Sequence, residues 1–155
     1  MKEKDMLKKW FDRDIEDWGG VTSDEYKEFT RNYRNVLRNI GKEIGFNLHS
    51  FSNTHYCFSA VMQSNVTKQF YYISISDVRY FKNEWAKNIL FRTMEHDHDW
   101  TGGSNRYSTL EELSENLLYL DKQILRNLEK ENARQVIYQA KPQKSKYEDF
   151  EQNYA

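Results

Sequence analysis

Residues 46–77 read FNLHSFSNTHYCFSAVMQSNVTKQFYYISISD, and this stretch decides the predicted fold. Apolar and polar residues alternate there in three short runs, which is the period of β-strands. The first run begins at residue 46, the second covers residues 55–62 and the third covers residues 69–77. Because a short polar turn joins the last two runs, we predict that they pair as an antiparallel hairpin.

A long helix is predicted before the strands, over residues 24–44. Ser23 precedes it and has a side chain of the type that caps helix N-termini. One side of this helix is apolar and is expected to pack on the sheet through Phe29, Tyr33, Val36, Leu37, Ile40 and Ile44. A shorter N-terminal helix is predicted over residues 4–17, where apolar residues recur at helical spacing.

A second long helix is predicted after the strands, over residues 109–132, because leucines recur there at spacings of three and four. Ser108 and Glu111 form a capping box, with Ser108 as the N-cap. We expect this helix to lie across the sheet. Residues 85–94 fit both a helix and a strand, and we prefer a helical turn at residues 84–88 followed by a fourth strand.

These elements predict one α+β domain over residues 1–140. Its antiparallel sheet has three or four strands, packed by two long helices and preceded by a short N-terminal helix. Residues 141–155 lack apolar periodicity and are predicted to form a mobile tail. The chain has 23 basic and 24 acidic residues, so its net charge of −1 indicates no general attraction to nucleic acid or to an acidic membrane.

Cys57 is the only cysteine, which excludes an internal disulfide and suits a reducing compartment. No apolar run approaches the roughly 18 residues that a membrane span requires. We therefore predict a cytoplasmic protein with no membrane partner. Cys57 lies between Tyr56 and Phe58 with no base beside it, so we expect a buried, inert thiol.

An acidic loop with two histidines follows the predicted fourth strand: Glu95, His96, Asp97, His98 and Asp99. Imidazole and carboxylate groups are ligands for zinc, iron or manganese. Neighbouring sequence supplies no further His or Cys pattern, and His49 and His55 would have to arrive through the fold. We favour a polar loop and predict no metal and no catalytic residue, since no nucleophile is identifiable.

The run WTGGSNR at residues 100–106 contains two glycines whose backbone N–H groups are able to cradle a phosphate. A phosphate loop also needs its lysine and a helix that begins directly after it, and both are missing here. We therefore favour a tight turn with glycine at positive φ, and we predict no cofactor.

A row of basic residues follows one side of the first long helix: Lys27, Arg31, Arg34, Arg38 and Lys42. The order helix–strand–strand–strand–helix is also that of double-stranded-RNA-binding domains. In those domains the final helix starts with basic residues, whereas Glu111 and Glu112 occupy that position here and would repel phosphate. The row is either a solvated helix face or a contact for nucleic acid or acidic protein.

Several runs taken together resemble a family of small proteins of plasmids, conjugative elements and phages. They are WGG at 18–20, EYKEF at 25–29, HYCFSA at 55–60, YISISDVR at 72–79, NEW at 83–85, ILFRT at 89–93 and DWTGGSN at 99–105. The resemblance covers residues 18–128. Some small mobile-element proteins with similar features are anti-CRISPR proteins that inhibit the type II effector nuclease.

The resemblance implies a non-enzymatic inhibitor that binds a bacterial CRISPR effector nuclease, a ribonucleoprotein, and blocks DNA binding or cleavage. A nucleic-acid-binding accessory protein of a plasmid or phage is the alternative, and a metal-dependent enzyme comes third. One candidate contact surface is the basic row. The other is the acidic loop and the turn after it, with Glu95, Asp97, Asp99, Trp100, Asn105 and Arg106.

Overall fold

The computed structural model describes residues 3–13, 20–54, 56–79, 82–99 and 103–140. The elements in chain order are α1 (Glu3–Met6), a 3-10 turn (Lys8–Trp10), α2 (Asp24–Ile44), β1 (Phe46–Thr54), β2 (Cys57–Ser64), β3 (Phe70–Ile75), α3 (Glu84–Lys87), β4 (Ile89–Met94), β5 (Arg106–Ser108) and α4 (Leu113–Ala140). The chain divides into two compact units, residues 1–121 and residues 122–155.

The strands form one sheet in the order β1-β2-β3-β4-β5, and every neighbouring pair is antiparallel. The predicted α+β class is therefore confirmed. The predicted hairpin is confirmed as well, since β2 pairs with β3 and Ala60 lies opposite Ile73. The helical turn and the fourth strand are found as α3 and β4. β5 exceeds the three or four strands predicted, and its three residues are too few to show an alternating pattern.

Helix α2 confirms the prediction for residues 24–44. The Ser23 hydroxyl accepts a hydrogen bond from the Tyr26 N–H at 3.0 Å and caps the first turn. Gly45 follows the last residue at φ +78°, a conformation that glycine adopts without strain. The apolar side is buried through Tyr26, Phe29, Tyr33, Val36, Leu37 and Ile40, while Ile44 is half-buried.

Phe29 lies at the centre of an aromatic cluster that joins α2 to its neighbours. Its ring centroid is 5.3 Å from that of Trp10 and 5.2 Å from that of Trp85. On the sheet side, the ring of Phe58 in β2 lies 5.8 Å away. The Tyr33 hydroxyl donates to the backbone oxygen of Trp85 at 2.6 Å. One face of α2 therefore contacts the N-terminal segment, the sheet and α3 together.

The N-terminal helix is shorter than the one predicted over residues 4–17, because α1 ends at Met6. Asp12 adopts φ +63°, which is incompatible with a continuous helix. The Asp12 N–H donates to Asn83 Oδ1 at 2.8 Å, and the Asn83 amide donates back to the Asp12 carboxyl at 2.8 Å. This long-range pair overrides the local helical pattern, and residues 14–17 lie outside the described part of the chain.

The second long helix starts at Leu113 and not at residue 109. Ser108 belongs to β5, so the predicted capping box is wrong. Thr109 stabilises this end of the helix instead, because its Oγ1 accepts a hydrogen bond from the Glu112 N–H at 3.1 Å. Strand pairing takes Ser108 out of the capping position.

Helix α4 ends at Ala140, beyond the predicted residue 132. Its first residues, up to Asp121, belong to the first unit, and there Leu113, Leu117 and Leu120 are buried. In the second unit, residues 122–137 are half-buried or exposed. The tail predicted to be mobile lies outside the described residues.

Cys57 is exposed, so the prediction of a buried thiol is wrong. It is the first residue of β2 and lies opposite Thr54, the last residue of β1. Neighbouring side chains of a strand point to opposite faces of the sheet. Because Phe58 faces α2, Cys57 points to the other face.

Asp121 holds the first turns of α4 to the β2–β3 hairpin through a buried polar cluster. The hydroxyl of Ser64 donates to its Oδ2 at 2.7 Å, and those of Thr67 and Tyr71 donate to its Oδ1 at 2.7 Å each. Only 5% of Asp121 is exposed. Burial, together with the bond to Asp121, raises the pKa of Tyr71, which keeps this hydroxyl a donor at neutral pH. Every oxygen of the carboxyl group is thus satisfied.

Replacing Asp121 by alanine is expected to lower the free energy of unfolding by about 3 kcal/mol, because buried hydroxyls lose their acceptor. Urea unfolding followed by circular dichroism measures this change. The exposed neighbour Lys122 is the matched control, and Lys122→Ala should change stability by less than about 0.5 kcal/mol. A loss below about 1 kcal/mol in Asp121→Ala would show that the cluster does not hold α4 to the hairpin.

Candidate functional site

The acidic loop at residues 95–99 follows β4 and is held by a buried arginine. Arg92 is 4% exposed, and its guanidinium donates to the backbone oxygen of Asp99 at 3.1 Å and to that of Thr93 at 3.2 Å. The guanidinium carbon also lies 4.9 Å from the centroid of the Tyr72 ring, a cation–π contact. Arg92 therefore fixes the path of the loop relative to the sheet. Sequence reasoning missed this role, because arginine within a strand gives no signal of burial.

Asp97 is bound to a histidine that lies far away in the sequence. Its Oδ2 is 3.0 Å from His49 Nε2, and its Oδ1 is 3.7 Å from His98 Nε2. His49 lies where the β1–β2 pairing shifts register, and its ring centroid is 5.3 Å from that of Phe70. The imidazole of His49 thus joins β1 to the loop. The hydrogen bond from His49 is the main cause of a lowered pKa of Asp97, and the charge of His98 lowers this pKa further.

Two further hydrogen bonds join residues within the loop. The carboxylate of Asp99 accepts the Glu95 N–H at 3.1 Å, and Nδ1 of His96 accepts the His98 N–H at 3.2 Å. Within the described ranges, no group of three His, Cys, Asp or Glu side chains is placed to hold a metal ion. Residues 95–99 thus form a folded turn of polar residues.

The turn after the acidic loop is described only from Gly103 onward, so Trp100 lies outside the described residues. Gly103 has φ +79°, which confirms the predicted glycine at positive φ. A Cβ at this position would lie 2.5 Å from the backbone oxygen of Thr93, so only glycine fits. Asn105 and Arg106 are exposed, and Arg106 is the first residue of β5.

The basic row lies on α2, on the side away from its buried face. Lys27, Arg31, Arg34 and Lys42 are exposed, while Arg38 is half-buried and donates to Asn35 Oδ1 at 2.8 Å. No ion pair joins any of the five to a carboxylate within the described part of the chain. At 1.5 Å per residue the row is about 22 Å long. It presents uncompensated positive charge along four turns of helix.

Two acidic residues of α2, in contrast, are paired near its N-terminus. Arg13 binds Glu25 at 2.6 Å, and Lys9 binds Glu28 at 3.3 Å. The hydrogen bond and the charge of Arg13 lower the pKa of Glu25. The N-terminal segment therefore neutralises two carboxylates of α2 and leaves the basic row unopposed.

Among the helices that the structure describes, none has both the length and the apolar character that a membrane span requires.

The bond between His49 and Asp97 predicts a pH-dependent contribution to stability. A carboxyl group whose pKa is lowered by folding stabilises the fold above its unfolded-state pKa of about 3.9. This stabilisation is lost as the pH falls through the lower, folded-state pKa. The wild type should therefore be more stable than Asp97→Asn at about pH 6. The difference should shrink as the pH falls below about 4 and vanish below the folded-state pKa.

Urea unfolding at a series of pH values tests this expectation. The control is Glu43→Gln, because the exposed Glu43 side chain forms no hydrogen bond or ion pair with a described residue. The difference in the free energy of unfolding between Glu43→Gln and the wild type should stay nearly constant over the same pH range. A difference for Asp97→Asn that does not change with pH would contradict the interaction.

Comparison with known proteins gives no relative: no family model matches this chain, and no curated protein or solved structure matches it either. The resemblance described for residues 18–128 therefore stays a prediction.

Proposed function

We propose that this protein is a non-enzymatic inhibitor that binds a bacterial type II CRISPR effector nuclease and blocks DNA binding or cleavage. The observation that carries the proposal is the unpaired basic row on α2. The partner is inferred from the resemblance to mobile-element proteins. An effector nuclease loaded with guide RNA exposes phosphate, which an unopposed row of cations binds without reading sequence.

The basic row suits a phosphate backbone in charge and in shape. It is straight because it follows one helix, and α2 is held in place by the buried Phe29 and Tyr33. A rigid contact loses less entropy on binding than a flexible one. Arginine, which provides three of the five cations, binds phosphate with two parallel hydrogen bonds.

The acidic loop is a second candidate contact, for a basic surface of the nuclease. Glu95 is exposed, and Asp97 keeps 34% of its side chain exposed although it binds His49. Because Arg92 fixes the loop backbone, these carboxylates are presented at defined positions. Opposite charges on a partner mainly accelerate association and select the correct partner.

The alternative function is a nucleic-acid-binding accessory protein of a plasmid or phage, which the same basic row favours. Glu111 and Glu112 are exposed just before α4, where double-stranded-RNA-binding domains carry basic residues. Because of this difference, a protein that binds only a nucleic-acid duplex is the weaker candidate function.

A cleavage assay with a reconstituted type II effector tests the proposal directly. Addition of this protein should reduce cleavage of a target DNA. A pull-down with and without RNase and DNase separates the two functions. Retention of the nuclease after digestion supports inhibition, whereas binding to naked RNA or DNA with no effect on cleavage supports the accessory protein.

Charge reversal identifies the contact surface. Arg31→Glu combined with Arg34→Glu should weaken binding to the loaded effector by at least about tenfold, and the salt dependence of binding should become less steep. Both side chains are exposed, so the fold should persist. Binding is measured by biolayer interferometry over a range of salt concentrations.

The matched control reverses two exposed cations on α4, Arg126→Glu combined with Lys130→Glu. This variant has the same net charge as the α2 variant and should bind nearly as well as the wild type. Equal loss in both variants would show that only the net charge matters, and no loss in either would rule out α2 as the contact.

A further inference from the structure

An open groove lies among the N-terminal segment, the end of α2, α3 and residues 109–115. Its volume is about 760 Å³, which falls in the range of pockets that enclose a drug-sized molecule. Phe11, Ala86 and Leu110 line it with apolar surface. The Leu110 N–H donates to the Ala86 oxygen at 2.8 Å, and the Phe11 ring lies 4.8 Å from that of Trp85. The core therefore holds this apolar lining in place.

Carboxylates dominate the polar lining of the groove. Among the described residues that line it, Asp5, Glu43, Glu111 and Glu115 are acidic and Lys87 is the single cation, which gives these side chains a net charge of −3. All four carboxylates are exposed, and none of their side chains forms a hydrogen bond or an ion pair with another described residue. They come from α1, from the end of α2 and from residues 111–115, so three parts of the fold together supply the negative charge of the groove.

We propose that this groove binds a cationic, amphipathic segment of a protein partner. An apolar side chain of that segment lies against Phe11, Ala86 and Leu110, and its Lys or Arg side chains lie beside the carboxylates. Charge complementarity selects a basic occupant, and the apolar lining favours a peptide over a purely polar polyamine.

This inference rests on the proposed function only for the identity of the partner. A ribonucleoprotein exposes both phosphate and basic protein, and the basic row and the groove carry the complementary charges. The groove would bind the protein component while α2 binds the nucleic acid.

A short labelled peptide, with two leucines one helical turn apart and lysines around them, is the probe. Its binding to the full chain is followed by fluorescence anisotropy at low and at physiological salt. We expect saturable binding that weakens as salt rises. A peptide with glutamate in place of lysine should not bind.

Two kinds of variant locate the site. Glu111→Gln combined with Glu115→Gln should weaken binding about fivefold, whereas the control Glu112→Gln combined with Glu129→Gln, which alters exposed carboxylates outside the groove, should remain within about twofold of the wild type. Ser114→Trp leaves every carboxylate in place and fills the groove, so it should also weaken binding. Ala86→Leu is a second blocking variant, and urea unfolding identifies any variant that does not fold.

Three results would overturn the proposal. The first is equal affinity of the Glu111/Glu115 variant and its control. The second is undiminished binding by the folded blocking variants, which would assign the peptide to diffuse surface charge. The third is spermine binding as tightly as the peptide, which would assign the groove to a small polyamine. The Arg31/Arg34 variant should bind the peptide as the wild type does, so failure of the groove and failure of the α2 contact are distinguishable.

Discussion

The burial of one face of α2 against the sheet is the interaction on which the rest of this protein depends. Phe29 and Tyr33 are fully buried there and contact Trp10, Phe58 and Trp85, so the N-terminal segment, the sheet and α3 all pack on the same helix face. The opposite face of α2 is polar and lies toward solvent, as is usual for an amphipathic helix. The outward position of the basic row is therefore a consequence of core packing.

The same packing separates charges that nearly cancel over the whole chain. Arg13 and Lys9 neutralise Glu25 and Glu28 on α2, whereas the basic row keeps its charge. The described lining of the groove brings together four carboxylates and one lysine. A chain with a net charge of only −1 thus presents two local surfaces of opposite sign. Surfaces of this kind suit a partner that contains both nucleic acid and basic protein, and a net charge alone would not have revealed them.

Features set by neighbouring residues were predictable. The bounds of α2 follow from its apolar period and from Ser23, and the β2–β3 hairpin follows from two alternating runs joined by a polar turn. The errors arose where a distant partner changed a local preference. Ser108 pairs in β5 and does not cap α4, and Asp12 bonds to Asn83 where a helix was expected to continue. Cys57 is a separate case: it begins β2 on the face of the sheet that points away from Phe58, and it is exposed there.

The amino-acid sequence by itself determined the α+β class, the face of α2 that is buried and the row of cations that it exposes, because a helical or strand period acts between residues close in the chain. Only the tertiary structure decided the bond of His49 to Asp97, the burial of Arg92 and the cluster around Asp121. It also formed the acidic groove from residues of separate elements. The bond of His49 to Asp97 and that of Ser64 to Asp121 join groups 48 and 57 residues apart. They exist only after strand register and helix packing have brought these groups together.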